Sequence, residues 1–217
     1  MRHVTNESQK TAEEFSEAAS AFRSSSLRWR YSYTLYNMAN MDQTMVRIGN
    51  PANRTNNVIG ESTIRITNTG CARRGFTVCL AACATGHKLP AFIYSKSKAG
   101  KFQPGPLRAF AYQKMQEWLS RVWGPNVNDV RRLLVLDQAP IHKTQAAKNA
   151  FEEYNTDMLY VPAGCTSILQ PADIYWNKPF KSTLRRLWEQ NMREEERTPK
   201  GNLKPSRQQV LDFVAKA

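Results

Sequence analysis

Three aspartates, Asp42, Asp137 and Asp173, differ from the other acidic residues because each is isolated among apolar or turn residues. Asp137 ends the apolar run 133–136, and Asp173 follows a second apolar run, 158–161, and a loop rich in Pro, Gly, Thr and Ser. Carboxylates are costly to bury unless they are paired or bind a metal. In α/β folds, ligands bind beyond the carboxyl ends of the strands. The pattern therefore predicts one site that the three carboxylates share.

Such a site would require a cation. Two carboxylates ~4 Å apart repel by about 4 kcal/mol at an effective dielectric near 20. Oxygen ligands favour Mg²⁺ or Mn²⁺, and two such ions could clamp the attacking and leaving oxygens of a phosphodiester. The alternative is local: Asp173 would cap a helix and Asp137 would accept N–H groups of a turn.

Charge narrows the choice of partner. The chain has 217 residues and a net charge of +13, which favours a polyanion such as nucleic acid, with solubility as the alternative reading. No apolar run approaches the ~20 residues of a membrane span, and the polar N-terminus lacks the apolar core of a signal peptide. We therefore expect no membrane partner.

The four cysteines are Cys71, Cys79, Cys83 and Cys165. The spacing of Cys79, Cys83 and His87 allows a zinc hypothesis, but the segment has the pattern of a strand and offers no fourth ligand. Buried free thiols in a reducing compartment are the favoured interpretation.

Periodicity predicts an alternation of elements that must position the acids. Predicted strands cover 35–48, 62–67, 76–84, 89–94, 131–137 and 158–161. Predicted helices cover 11–30, 106–123, 143–154, 174–192 and 206–217. We expect Ser24–Ser26 to end or weaken the first helix and Pro179 to begin or kink the fourth. An antiparallel three-strand unit followed by alternating helices and strands predicts an α/β fold, a mixed sheet flanked by helices.

Four sequence blocks resemble one known family. LLVLDQAPIHKT and VPAGCTSILQPADIYWNKPFK resemble the two downstream signature blocks of the pogo/Tigger-type DDE transposase domain, a family that includes jerky-like and centromere-protein-B-like proteins. NMANMDQTMV resembles the first acidic block, and FTVCLAACATGHKLPAFIYSK resembles the hairpin between them. The resemblance covers about residues 36–192.

This resemblance implies an RNase H-like fold and a DDE/DDD site in which Asp42, Asp137 and Asp173 bind two Mg²⁺ or Mn²⁺ ions. It implies cleavage and strand transfer of DNA, and no small-molecule cofactor. The spacing of the last two acids suits the family. The chain departs from the family pattern at Gln138, where Asn is usual, and at Ala172, where Leu or a similar residue is common.

Several basic residues near the acids are candidates for phosphate contacts, which give affinity rather than sequence reading. They are His142, Lys143, Lys178, Lys181, Arg185 and Arg186. A solvated basic surface is the alternative.

The sequence thus predicts a metal-dependent DNA endonuclease and strand transferase. The alternatives are a domesticated or decayed DNA-binding module without catalytic activity, and a nuclease of the same fold that acts on RNA. We expect a helical lead-in at 1–34, the catalytic domain at 35–192, and a linker with the start of a helix at 193–217. Family members carry N-terminal helix-turn-helix domains, so we expect the chain to be part of a longer protein or a truncated element-derived copy. The resemblance also implies a nuclear location and allows a homodimer.

Overall fold

The computed structural model describes residues 11–48, 75–94, 107–126, 130–194 and 206–217. The predicted strand at 62–67 and Cys71 lie outside these residues. Within them, the strands are β1 (Met38–Arg47), β2 (Gly75–Cys83), β3 (Phe92–Tyr94), β4 (Arg132–Leu136) and β5 (Thr156–Tyr160). The α-helices are α1 (Ala12–Arg30), α2 (Leu107–Trp118), α3 (Gln145–Glu153), α4 (Thr166–Leu169), α5 (Asn177–Glu194) and α6 (Arg207–Lys216).

The five strands form one mixed sheet in the order β3-β2-β1-β4-β5. β4 pairs in parallel with β1 on one side and with β5 on the other. A turn after β2 carries Gly86 at a φ of 88°, a left-handed conformation that suits glycine. The predicted α/β fold with a mixed sheet flanked by helices is confirmed.

Strand β4 lies between β1 and β5 in the sheet, and its composition suits this interior position. Leu133, Leu134 and Leu136 are all 0% exposed, as expected of a parallel strand covered on both faces. Helix α3 packs Ala147, Ala150 and Phe151 into the same core. Apolar residues on β4 and α3 therefore fix the strand end from which Asp137 emerges.

The chain divides into two compact units. The first comprises Met1–Asp42, Cys79–Phe92 and Lys98–Trp176, and the second comprises Gln43–Val78, Ile93–Ser97 and Asn177–Ala217. The core of the first unit includes Trp118 and Trp123, whose rings stack with centroids 5.9 Å apart. In the second unit, the buried residues include Val46, Phe76, Val78, Phe180, Leu184, Val210, Phe213 and Val214.

Helix α1 corrects one expectation. The serine cluster neither ends nor interrupts it, because the helix continues to Arg30 and the Ser26 hydroxyl donates to the Phe22 carbonyl at 2.8 Å. A serine hydroxyl that bonds back within the helix leaves no unpaired polar group. A capping box of Thr11 and Glu14 begins the helix.

Two short π-helical segments were not predicted: Leu119–Trp123 after α2, and Ala172–Trp176 before α5. The second contains Asp173. Pro179 is the third residue of α5, which follows the second π-helical segment without a break. Ser206 caps α6, as the sequence predicted. No helix within the described ranges is long and apolar enough to cross a membrane.

Candidate active site

Asp42 and Asp137 lie on neighbouring parallel strands. Asn40 of β1 is in register with Val135 of β4, and two residues further along both strands lead to Asp42 and Asp137. Neighbouring strands are ~4.8 Å apart. The register therefore brings these two acids to the same level of the sheet, with Asp137 just beyond the carboxyl end of β4 and Asp42 within β1.

Asp137 is held by groups from the turn that follows it. The Nδ1 atom of His142 lies 3.0 Å from Oδ1 of Asp137, and the backbone N–H of Ala139 donates to the same oxygen at 3.2 Å. The hydrogen bond from His142 is the main reason why the pKa of Asp137 lies below its ordinary value, and the Ala139 N–H adds to it, against the effect of burial. Asp137 is therefore ionised at neutral pH.

The Asp137 carboxylate is held through one of its oxygens. Within the described ranges, both hydrogen bonds to the Asp137 carboxylate end on Oδ1. The side chain is 38% exposed. These contacts to Oδ1 fix the orientation of the carboxylate.

Asp173 is the second residue of a π-helical segment, and it is half-buried. The residue before it, Ala172, is fully buried, and its N–H donates to Oδ1 of Asn40 at 2.8 Å. Asn40 in turn donates through Nδ2 to the Val135 carbonyl at 2.9 Å. Asn40 therefore connects the segment of Asp173 to the two strands that carry the other acids.

Asp42 is half-buried in the middle of β1, as predicted. Its charge acts on Cys79 of β2: burial raises the pKa of the Cys79 thiol well above its ordinary value, and the nearby Asp42 carboxylate raises it further. Cys79, Cys83 and Cys165 are buried free thiols, as the sequence predicted. The Cys79 thiol is therefore neutral and adds no charge near Asp42.

Backbone register brings Asp42 and Asp137 level, and Asn40 connects the Asp173 segment to their strands, but the three acids do not form a metal-binding cluster. In the part of the chain that the structure describes, no three His, Cys, Asp or Glu side chains lie close enough together to hold a metal ion. The donor set still fits a divalent cation, because it consists of carboxylate oxygens. Like charges repel, so a bound cation would favour a closer approach of the three carboxylates.

The basic candidates occupy different environments. His142 is 4% exposed and contacts Asp137. A ring this buried offers little surface to a phosphate, whereas it is well placed to orient Asp137. Lys143 is exposed and donates to Oε1 of Gln138 at 2.6 Å. The four candidates on α5 are exposed and belong to the second unit: Lys178, Lys181, Arg185 and Arg186. Their phosphate contacts stay a prediction.

Sequence reasoning missed Asn40. The signal was present, because Asn40 is a polar residue among apolar neighbours in a strand, two positions before Asp42. Buried amides have partners, so such a residue indicates a tertiary hydrogen bond. Its partners could not be named, because Ala172 and Val135 are distant in sequence.

Comparison with known proteins defines the family. Residues 109–217 match the family of DDE superfamily endonucleases. The mouse and human proteins called "Pogo transposable element with KRAB domain" are each 31% identical to this chain over 199 residues, which is 85% of this chain and 33% of the relative. The chain thus spans about a third of the length of these curated relatives.

Solved structures share the fold. The Mos1 strand transfer complex has a TM-score of 0.61 at 17% identity, covering 100% of this chain and 57% of that chain. The catalytic domain of Mos1 mariner transposase has a TM-score of 0.54 at 12% identity, covering 98% of this chain and 84% of that chain. A Mos1 mariner paired end complex with Mn has a TM-score of 0.55 at 14% identity, covering 100% of this chain and 63% of that chain. At these identities the likeness supports an RNase H-like fold. The chain belongs to the DDE superfamily endonucleases, as a pogo-type transposase domain.

Proposed function

We propose that this domain cleaves DNA and transfers its strands with divalent metal ions held by Asp42, Asp137 and Asp173. The observation that carries the proposal is the match to DDE superfamily endonucleases over residues 109–217, a range that includes two of the three acids. The catalytic domain would extend over 35–192, as the sequence predicts.

The metals would be two Mg²⁺ or Mn²⁺ ions. When bound, such ions supply charge neutralisation and activation of an oxygen nucleophile for phosphodiester chemistry. The carboxylate donor set supports this choice. So does the Mos1 paired end complex with Mn, a structure of the same fold.

The chain's own groups would prepare the ligands. His142 and the Ala139 N–H fix Oδ1 of Asp137 and keep the carboxylate ionised. An orienting partner of this kind strengthens a metal ligand. Asn40 would hold the Asp173 segment beside β1 and β4. The fully buried Leu136 anchors the strand end before Asp137.

DNA would bind through phosphate contacts. The net charge of +13 supports this, because a basic protein attracts a polyanion over long range. On α5, Lys178, Lys181 and Arg185 recur at intervals of three and four residues, which places them on one helix face. This basic face is the proposed phosphate-binding surface, and a DNA-cleaving enzyme of this family would work in the nucleus.

Metal binding can be tested in the chain as it stands. Titration calorimetry with Mn²⁺ should show binding to the wild type, and Asp42→Asn, Asp137→Asn and Asp173→Asn should each weaken it at least about tenfold. The matched control is Asp212→Asn, the same change at an exposed position of α6. It should bind Mn²⁺ as the wild type does.

Cleavage is tested in parallel by nicking of supercoiled plasmid in Mn²⁺. Each substitution of the three acids should abolish nicking, and Asp212→Asn should retain it. If the three variants nick as fast as the wild type, the assignment of the acids is wrong. If the chain binds DNA but not Mn²⁺, it is instead the DNA-binding module without catalytic activity.

A further inference from the structure

We propose that Asn40 is the positioning residue of this active site, because its carboxamide joins the three chain segments that carry the acids. We call the two hydrogen bonds of Asn40, to Ala172 and to Val135, the Asn40 clamp. Its role in metal binding rests on the proposed function. The clamp itself is a property of the metal-free protein and can be measured there.

The geometry places Asn40 between the segments. It is 5% exposed. Its Oδ1 atom accepts the Ala172 N–H at 2.8 Å, and its Nδ2 atom donates to the Val135 carbonyl at 2.9 Å. Ala172 directly precedes Asp173, whereas Asn40 and Val135 each lie two residues before an acid. A single side chain therefore sets the spacing of all three segments.

The chemistry of the two partners explains why the residue is an asparagine. A backbone N–H can only donate and a backbone carbonyl can only accept, so the connecting group needs both an acceptor and a donor. The carboxamide provides both and carries no charge. An aspartate of the same shape would lose the donor and would add a fourth negative charge near three carboxylates.

The neighbouring contact is weaker. Gln170, which is 1% exposed, donates through Nε2 to the Met41 carbonyl at 3.5 Å, the limit of a hydrogen bond. Gln170 precedes Ala172 by two residues, whereas Asp173 follows it. The hydrogen bond of Gln170 therefore connects the same segment to β1. Asn40 makes the two shorter hydrogen bonds, so we expect its loss to release the segment even when Gln170 is present.

The first experiment measures amide hydrogen exchange in the metal-free protein. Asn40→Ala should accelerate exchange of the Ala172 N–H at least about tenfold relative to the Leu133 N–H of the interior strand β4. Asn40→Asp, which keeps the acceptor, should show a smaller change and serves if the alanine variant does not fold. The control is Thr156→Val, which removes a buried hydroxyl bonded to Trp123 Nε1 and to the Tyr154 carbonyl. Thr156→Val should leave the ratio of the Ala172 exchange rate to the Leu133 exchange rate unchanged.

The second experiment measures Mn²⁺ affinity by calorimetry in the same variants. Asn40→Ala should weaken binding at least about tenfold, in the range found for groups that orient metal ligands, while Thr156→Val should bind as the wild type. Unchanged exchange at Ala172 in both Asn40 variants would overturn the inference. So would faster exchange with Mn²⁺ affinity equal to that of Thr156→Val. Wild-type chain that binds no Mn²⁺ would instead contradict the proposed function, and the clamp would lose its catalytic role.

Discussion

The Nδ1 atom of His142 lies 3.0 Å from Oδ1 of Asp137, and the imidazole that makes this contact is almost wholly buried. The short helical turn Pro140–Lys143 brings the ring back onto Asp137, the residue that follows β4. The Tyr160 hydroxyl donates to the His142 carbonyl at 2.6 Å and fixes that turn from β5. The second acid is therefore oriented by its own loop before any ligand arrives.

The first prediction concerns this pair. His142→Ala removes the hydrogen bond that orients and ionises Asp137, so Mn²⁺ affinity should fall about 10–100-fold. His142→Asn keeps an N–H donor at nearly the same position and should restore part of the affinity. Calorimetric titration of both variants against the wild type measures the effect. Equal affinity in the wild type and the alanine variant would show that His142 has only a packing role.

The second prediction concerns acid stability and Asp157 of β5. Arg131 donates to both Asp157 oxygens, from Nε at 2.6 Å and from Nη2 at 2.8 Å, and the Tyr33 hydroxyl also donates to this carboxylate. The Arg131 hydrogen bonds are the main reason why the pKa of Asp157 lies below its ordinary value. A carboxylate with a lowered pKa adds stability above its unfolded pKa of about 3.9, and this stability is lost as the pH falls through the folded pKa.

At pH 7, Asp157→Asn should therefore lower the free energy of unfolding by about 1–2 kcal/mol, a modest value because Arg131 is half exposed. Below about pH 4 the difference between variant and wild type should shrink. Urea unfolding of both proteins at pH 7 and below about pH 4 measures this difference in the free energy of unfolding. If the difference between the two free energies of unfolding stays constant with pH, the charge of Asp157 does not contribute to stability.

Much of the fold was predictable because it follows from local patterns. The leucine run of β4 and the alanines of α3 identify a buried strand and its covering helix at nearly the observed bounds. The π-helical segments were not predictable, because such turns are rare and occur mostly as single turns within α-helices. The short helix α4 was missed because a four-residue segment has too few apolar positions to show a period.

The site was predictable in part. The sequence predicts Asp42, Asp137 and Asp173 as the site from their isolation among apolar residues, and the parallel pairing of β1 with β4 brings the first two to the same level of the sheet. The connections through Asn40 could not be predicted, since they join backbone atoms of distant segments. The sequence predicted His142 as a phosphate contact, whereas the fold buries it against Asp137. Charge and spacing alone do not reveal which way a ring turns.

The third prediction concerns close packing at Gly124. A Cβ atom there would lie 2.6 Å from Cε1 of Tyr154 and 2.9 Å from the Leu119 carbonyl oxygen. Gly124→Ala should therefore lower the free energy of unfolding by about 1–3 kcal/mol, as overpacking does. In a Tyr154→Leu background the cost should fall, because the ring clash is gone and only the carbonyl contact is left. Denaturant unfolding of the four variants in this cycle measures the coupling, and additive effects would contradict the packing argument.

The fourth prediction concerns the basic face of α5. Replacing Lys178, Lys181 and Arg185 by Glu should weaken DNA binding and reduce the salt dependence, because each lost phosphate contact lowers the slope of log K against log salt by about 0.9. All three side chains are exposed, so the substitutions should leave the fold intact. Fluorescence anisotropy with a duplex oligonucleotide at several salt concentrations measures both affinity and slope. The matched control is Lys148→Glu, a charge reversal at an exposed position of α3. Three times the loss of DNA-binding free energy in Lys148→Glu is the loss that net charge alone should cause in the triple variant. A triple variant that loses no more than this, with an unchanged slope, would show that α5 does not contact the phosphates.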